Sequence, residues 1–167
     1  MTEKLSSDSI DFIVKAGEFC KTINECRNLT KEDFTNAMLN LLPALYISMN
    51  SYQEAAEPEM DVVGSYLDEE EYNSTREAIA ALMGEDDTYL ETFMEDMKYS
   101  DTPIAATISE GLADIYQDMF NFITTVRESE GTLTHQAMDQ MHENFALYWS
   151  KTLCNVMRPL NSLKYNI

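Results

Sequence analysis

The sequence has few of the residues that make turns or cross-links, and each shortage excludes a class of protein. Only 5 glycines and 4 prolines occur among 167 residues, which leaves little material for frequent turns and favours long helices. Three cysteines, an odd number without regular spacing, do not make the framework of a small disulfide-bonded domain. The first nine residues lack an apolar signal core, and no stretch reaches membrane-spanning length. We therefore expect a cytoplasmic location.

Positive charge is also scarce. The chain has 11 lysines and arginines against 30 acidic residues, a net charge of −19. Phosphate binding needs clustered basic side chains, so the composition argues against direct binding to nucleic acid or to an anionic membrane. Half of the acidic residues, 15 of them, lie in residues 57–101 beside only 2 basic ones. Such a segment would steer a basic protein partner towards itself. Mimicry of nucleic acid towards a DNA-binding protein is a sharper version of this hypothesis, and charge that only maintains solubility is the alternative.

The hydrophobic pattern predicts an all-α fold. With 44% hydrophobic and 25% charged residues, the chain fits one folded domain over residues 1–167. Apolar residues recur at spacings of three and four, which predicts an up-and-down bundle of about five main helices. Pro43 should kink the second helix, and Pro159 should break or bend the last one. The predicted helices span residues 9–27, 30–55, 68–84 and 102–128, and a last helix begins at 132 or 134. Residues 57–68 and 85–98 are predicted connections. The second connection contains a short helix or an apolar patch.

The fourth helix, Thr102–Glu128, organises the rest. Pro103 suits its first position, with Asp101 or Thr102 as the cap. Its apolar stripe is wide enough to contact more than one neighbouring helix. The stripe consists of Ile104, Ile108, Leu112, Ile115, Met119, Phe122 and Val126, and the opposite face carries Glu110, Asp114, Gln117, Asp118, Asn121, Thr125 and Glu128.

Three carboxylates on this helix form the first candidate site. Glu110, Asp114 and Asp118 are four residues apart and share one face. Stacked carboxylates can hold Mg²⁺ or a transition metal, although a solvated helix face has the same pattern. Like charges at this spacing disfavour the helix, and no lysine or arginine lies on the stripe to offset them.

Two histidines and an aspartate on the last helix form the second candidate site. His135, Asp139 and His142 occupy neighbouring turns, where two imidazoles and a carboxylate could bind Zn²⁺ or iron. A histidine that makes one hydrogen bond at a helix edge gives the same spacing. A ferritin-like centre would need two Glu-x-x-His motifs, but the chain has only one Asp-x-x-His.

Residues 99–118, YSDTPIAATISEGLADIYQD, resemble the core of an uncharacterised bacterial domain family of unknown function. In that family the pattern SDxPxAxxxxxxLADIYQDL precedes a long helix, and a later helix contains a tryptophan, here Trp149. The resemblance implies an all-helical fold of similar length and brings no activity with it. It also implies that Asp114, Tyr116, Gln117 and Asp118 form the characteristic surface.

Two functions are compatible with these patterns. The first is a non-enzymatic, acidic, cytoplasmic interaction module with a basic protein partner and no cofactor. The second is a metal-dependent enzyme that uses Glu110, Asp114 and Asp118, with or without His142, to hold a divalent metal. The sequence leaves the oligomeric state open.

Overall fold

The structure, a computed structural model, describes residues 4–59, 61–91 and 104–165. This part of the chain is mostly helical, with one two-stranded sheet, which confirms the predicted all-α class. A π-helical turn, Phe145–Trp149, joins the last two helices without a break, so the bundle has five main helices. The elements are α1 (Ser7–Asn24), α2 (Lys31–Ser51), α3 (Glu69–Met83), β1 (Thr88–Glu91), β2 (Ile104–Thr107), α4 (Ile108–Glu128), α5 (Thr134–Asn144) and α6 (Ser150–Tyr165), with short 3-10 turns at Cys26–Asn28 and Gly84–Asp87.

The helices form an up-and-down bundle around one core. Helix α4 packs against α1, α3, α5 and α6, while α2 packs against α1 and α6, so α4 is the central helix that its wide apolar stripe predicts. Phe12 lies at the centre of an aromatic cluster, with its ring centroid 5.2 Å from that of Phe122 and 6.0 Å from that of Trp149. No helix in the described ranges is long and apolar enough to cross a bilayer.

Several helix ends lie where the sequence predicts them, because local hydrogen bonds determine them. The side chains of Thr30 and Asp68 accept hydrogen bonds from backbone N–H groups three residues later, and thus cap α2 and α3. Gly84 ends α3 with a φ of 58°, and Gly131 follows α4 with a φ of 83°. These are left-handed conformations that glycine adopts without steric cost.

The predicted start of the fourth helix is wrong. Helix α4 begins at Ile108, capped by the Thr107 side chain, which accepts a hydrogen bond from the Glu110 N–H at 3.2 Å. The preceding residues form β2, which pairs antiparallel with β1. Cross-strand pairing therefore replaces the first predicted helical turn. The caps predicted at Asp101 and Thr102, and the first position at Pro103, lie outside the described residues.

Other predicted boundaries also differ. Pro159 does not break the last helix, since α6 continues to Tyr165. The neighbouring Val156 and Leu160 are completely buried, and this packing offsets the one backbone hydrogen bond that a proline removes. Pro43 lies inside an unbroken α2, and the kink there stays a prediction. Helices α1 and α2 end three and four residues earlier than predicted, at Asn24 and Ser51. The predicted apolar patch of 85–98 includes β1, and its part from 92 onward is outside the described residues.

A strap, residues 52–67, connects α2 to α3 and crosses the side of α4 and α5. Side chains of the helices accept hydrogen bonds from its backbone. Gln140 accepts from Val62 and Val63 at 2.7 and 2.8 Å, and Asn121 accepts from Tyr66 and Leu67 at 2.9 and 3.0 Å. Part of the polar face of α4 is therefore structural rather than solvated.

We expect the Asn121→Ala substitution to lower the free energy of unfolding by about 1–2 kcal/mol, because two backbone N–H groups lose their acceptor and that of Leu67 is buried. Urea unfolding measures this loss. The matched control, Asn121→Asp, keeps an acceptor oxygen and should lose less. An equal loss in both variants would contradict the assigned hydrogen bonds.

Candidate functional site

The acidic side of α4 forms the floor of an open groove of about 1240 Å³. Residues of the β1–β2 hairpin also line it, as do Asn144, residues 147–152, Cys154 and Asn155, which include part of the π-helical turn. Gly111 permits this arrangement, since a Cβ atom at that position would clash with the Val156 side chain of α6. The close approach of α4 and α6 beneath the groove thus depends on a residue without a side chain.

The groove brings together four of the five residues predicted as a surface site. Glu110, Asp114, Gln117 and Asp118 all line it, and Glu91 of β1 adds a fourth carboxylate. Lys151 is the one basic side chain among the described lining residues. The floor is therefore strongly acidic and has little internal compensation.

The fifth predicted residue, Tyr116, lies elsewhere. Its side chain is only 3% exposed, and its hydroxyl donates a hydrogen bond to the Asn24 side chain of α1 at 2.8 Å. Burial raises the pKa of Tyr116 to about 12. Tyr116 therefore belongs to the bundle core. Its position in the family motif does not reveal this burial.

Asp118 is the most perturbed group in the groove. Burial, and to a lesser extent the neighbouring Asp114 carboxylate, together raise its pKa from 3.8 to about 6. The Tyr72 hydroxyl of α3 donates a short hydrogen bond, 2.5 Å, to Asp114. Ionisation of Asp118 beside Asp114 is therefore costly in the folded protein.

The π-helical turn shapes the wall that faces this pair. The Ser150 N–H donates to the Phe145 carbonyl, five residues back, instead of four. The indole N–H of Trp149 donates to the Met141 carbonyl at 3.2 Å, and Trp149 is 2% exposed. Within the same turn Leu147 and Tyr148 stay 50% and 65% exposed and line the groove. Such turns are frequent at functional sites, and the helical pattern of the sequence did not predict this one.

The predicted histidine site does not lie in the groove. Asp139 is 5% exposed and accepts hydrogen bonds from the Tyr52 hydroxyl at 2.5 Å and the Ala55 N–H at 3.2 Å. Nδ1 of His142 lies 2.8 Å from a carboxylate oxygen of Glu54. Both residues thus hold the strap. His135, one turn before Asp139, is half-buried.

No metal centre is assembled in the part of the chain that the structure describes. No set of three histidine, cysteine, aspartate or glutamate side chains there is placed to hold a metal ion. The two predicted constellations also do not meet, because Glu110, Asp114 and Asp118 line the groove while His142 contacts the strap.

In the described part of the acidic segment 57–101, several carboxylates bond to neighbouring groups of the fold. Asp87 is 8% exposed and accepts hydrogen bonds from the N–H and the hydroxyl of Ser109, at 2.8 and 2.7 Å. Asp86 pairs with Lys31 at 2.7 Å, and Asp68 caps α3. Residues 92–101 lie outside the described ranges. Several of these charges therefore have local structural partners.

Comparisons with known proteins support the fold and name no activity. A family model described as "Domain of unknown function (DUF5063)" matches residues 3–166. The crystal structure of protein BF1032 from Bacteroides fragilis, a structural genomics target, is 28% identical and has a TM-score of 0.82. The similarity covers 97% of this chain and 95% of that one. Among curated proteins no match is found.

Proposed function

The chain belongs to the DUF5063 family, and we propose that this member is a non-enzymatic, cytoplasmic interaction module whose groove holds a basic segment of a partner protein. The single observation that carries the proposal is that Glu110, Asp114 and Asp118 line the same groove as the exposed Leu147 and Tyr148.

The charges in the groove support a cationic ligand. Four carboxylates and one lysine line it, and the whole chain carries a net charge of −19. This field accelerates the approach of a basic segment. A bound ammonium or guanidinium group would also relieve the repulsion between Asp114 and Asp118, so ligand binding offsets a cost that the free protein carries.

The apolar wall adds affinity that charge alone does not provide. Exposed acidic residues attract any polycation weakly, and salt screens that attraction. Leu147 and Tyr148 offer apolar area beside the carboxylates, and a tyrosine with its hydroxyl at the surface is a frequent interface residue. A segment with alternating basic and apolar side chains would use both surfaces.

The test is the affinity of a labelled six-residue peptide of alternating lysine and valine, followed by fluorescence anisotropy at about 0.15 M salt. We expect Asp114→Asn/Asp118→Asn to weaken binding by at least about tenfold, which corresponds to the loss of roughly 1.4 kcal/mol.

The matched control is Glu77→Gln/Glu128→Gln, which removes the same charge from exposed positions on α3 and α4 outside the groove lining. It should bind as the wild type does, to within about twofold. Equal weakening in both double variants would show general attraction to a polycation and would overturn the proposal.

A metal-dependent enzyme is the second candidate. The observation that favours it is the carboxylate pair itself, with the pKa of Asp118 raised to about 6, close to the range in which a side chain transfers protons at neutral pH. Melting curves with Mg²⁺, Mn²⁺ or Zn²⁺ test it. A metal-induced shift that Asp114→Asn/Asp118→Asn abolishes would support this candidate, and the absence of a shift in the wild type would overturn it.

A further inference from the structure

Strand β2 presents its backbone edge to the groove. All four of its residues, Ile104–Thr107, line the groove, whereas β1 contributes only Tyr89 and Glu91. Alternate side chains of a strand point to opposite faces, so Tyr89 and Glu91 mark one face of the hairpin. Four consecutive residues of β2 line the groove, and they cannot all do so from one face of the hairpin. This indicates that the outer edge of β2 borders the groove.

The register identifies the backbone groups at this edge. Leu90 lies opposite Ala105, and the Arg158 guanidinium of α6 donates a hydrogen bond to the Leu90 carbonyl. That carbonyl therefore points away from β2. In an antiparallel pair, opposite residues either exchange their hydrogen bonds or both direct their N–H and C=O groups outward. Ala105 thus directs its N–H and C=O away from β1, along the edge that borders the groove.

The edge is open to another backbone. Ala105 is exposed, and Ala105 and Ala106 carry the smallest side chains that can line a strand. Among the described residues, no hydrogen bond from outside the two-stranded sheet reaches the backbone of Ala105. By contrast, Arg158 already occupies the outer edge of β1 at Leu90. As far as residues 4–59, 61–91 and 104–165 are concerned, an incoming strand would therefore find the outward donor and acceptor of Ala105 without a partner.

We propose that the basic partner segment binds as a third strand on β2, with alternate side chains directed towards Asp114 and Asp118. This inference rests on the proposed function and names its binding mode. Main-chain hydrogen bonds to an exposed sheet edge supply affinity, and contacts to alternate side chains supply specificity. The four residues of β2 match a ligand stretch of roughly 13 Å.

Charge identifies the occupant as a basic segment rather than a second copy of this chain. A second copy would bring another net charge of −19 and would place its own β2, with the same acidic neighbours, against Glu91 and Asp114. Like charges at such a contact are costly. A segment with lysine or arginine at every second position instead meets an acidic floor on one face.

Amide hydrogen exchange of the full chain tests the binding mode. With the lysine–valine peptide bound, the Ala105 amide should exchange at least about tenfold more slowly than in the free protein, because it donates to the peptide. A peptide that is N-methylated at alternate residues keeps its charge and loses half of its edge hydrogen bonds, so it should bind at least about tenfold more weakly. An unprotected Ala105 amide, or equal affinity of the two peptides, would overturn strand addition.

The variant Ala105→Pro removes the outward N–H and leaves the ladder to β1 intact, since proline is tolerated where a strand edge is unpaired. It should lose peptide affinity at an unchanged melting temperature. If it binds normally while Asp114→Asn/Asp118→Asn does not, only the strand mode fails. If the Asp114→Asn/Asp118→Asn variant also binds normally, the proposed function fails. A dimer in sedimentation that Ala105→Pro dissociates would identify a second copy as the occupant and overturn the inference.

Discussion

Asp118→Asn should stabilise the protein at pH 7 by about 2–3 kcal/mol. The folded protein holds the Asp118 proton up to a pKa of about 6, whereas a solvated aspartate loses it near 3.8. One pKa unit corresponds to about 1.4 kcal/mol. Between these two values the unfolded state binds fewer protons than the folded state, so stability falls as the pH rises. Above pH 6 the full cost is present, and below pH 3.8 it is absent.

Urea unfolding from pH 3.5 to 8 measures this effect as the difference between variant and wild type. The difference should be near zero below a pH of about 4, grow through a pH of about 6 and remain constant above it. Glu128→Gln, an exposed control on the same helix, should change stability by less than about 0.5 kcal/mol throughout. A destabilised Asp118→Asn at pH 7 would contradict the assigned burial and repulsion.

Truncation of two neighbouring residues in the π-helical turn should have very different effects on stability. Trp149 is 2% exposed and packs against Phe12 and Phe145, so Trp149→Ala should cost about 3–5 kcal/mol of stability. Tyr148 is 65% exposed, so Tyr148→Ala should change stability by less than about 0.5 kcal/mol. Because Tyr148 lines the groove, its variant should bind the lysine–valine peptide several-fold more weakly.

Thermal unfolding and anisotropy with the same two variants check this pair of results. Tyr148→Phe serves as the conservative control, since it keeps the ring and should keep most of the affinity. If Tyr148→Ala loses as much stability as Trp149→Ala, Tyr148 belongs to the hydrophobic core and not to a binding surface. If Tyr148→Ala is stable and binds normally, the apolar wall takes no part in recognition.

Features that depend on near neighbours in the chain could be predicted from the sequence. The caps at Thr30 and Asp68 and the helix ends near Gly84 and Gly131 depend on hydrogen bonds or backbone conformation within a few residues. The acidic stripe of α4 likewise follows from the spacing of its carboxylates along one helix. The five helices could be predicted in this way, and so could the four predicted surface residues that line the groove.

Features that depend on residues distant in the chain could not be predicted from the sequence. Ile104 matches the helical spacing of α4, and only pairing with β1 places it in a strand. The roles of Asn121 and Gln140 depend on backbone donors in the strap, more than fifty residues earlier in the chain. Tyr116 would fit a surface by its place in the motif, but its partner Asn24 lies on another helix.

The groove thus combines two properties that each carry an energetic cost. Its central carboxylate lowers the stability of the fold, and its π-helical wall leaves apolar side chains exposed. Residues that destabilise a fold are retained where function requires them. This combination is what the proposed binding of a basic segment predicts for the acidic floor.

The most direct test is one variant measured in two ways. For Asp118→Asn at pH 7, we predict a higher melting temperature together with a weaker affinity for the lysine–valine peptide, by at least about threefold. A higher melting temperature with unchanged affinity would show that the costly carboxylate serves no cationic ligand, and would contradict the account.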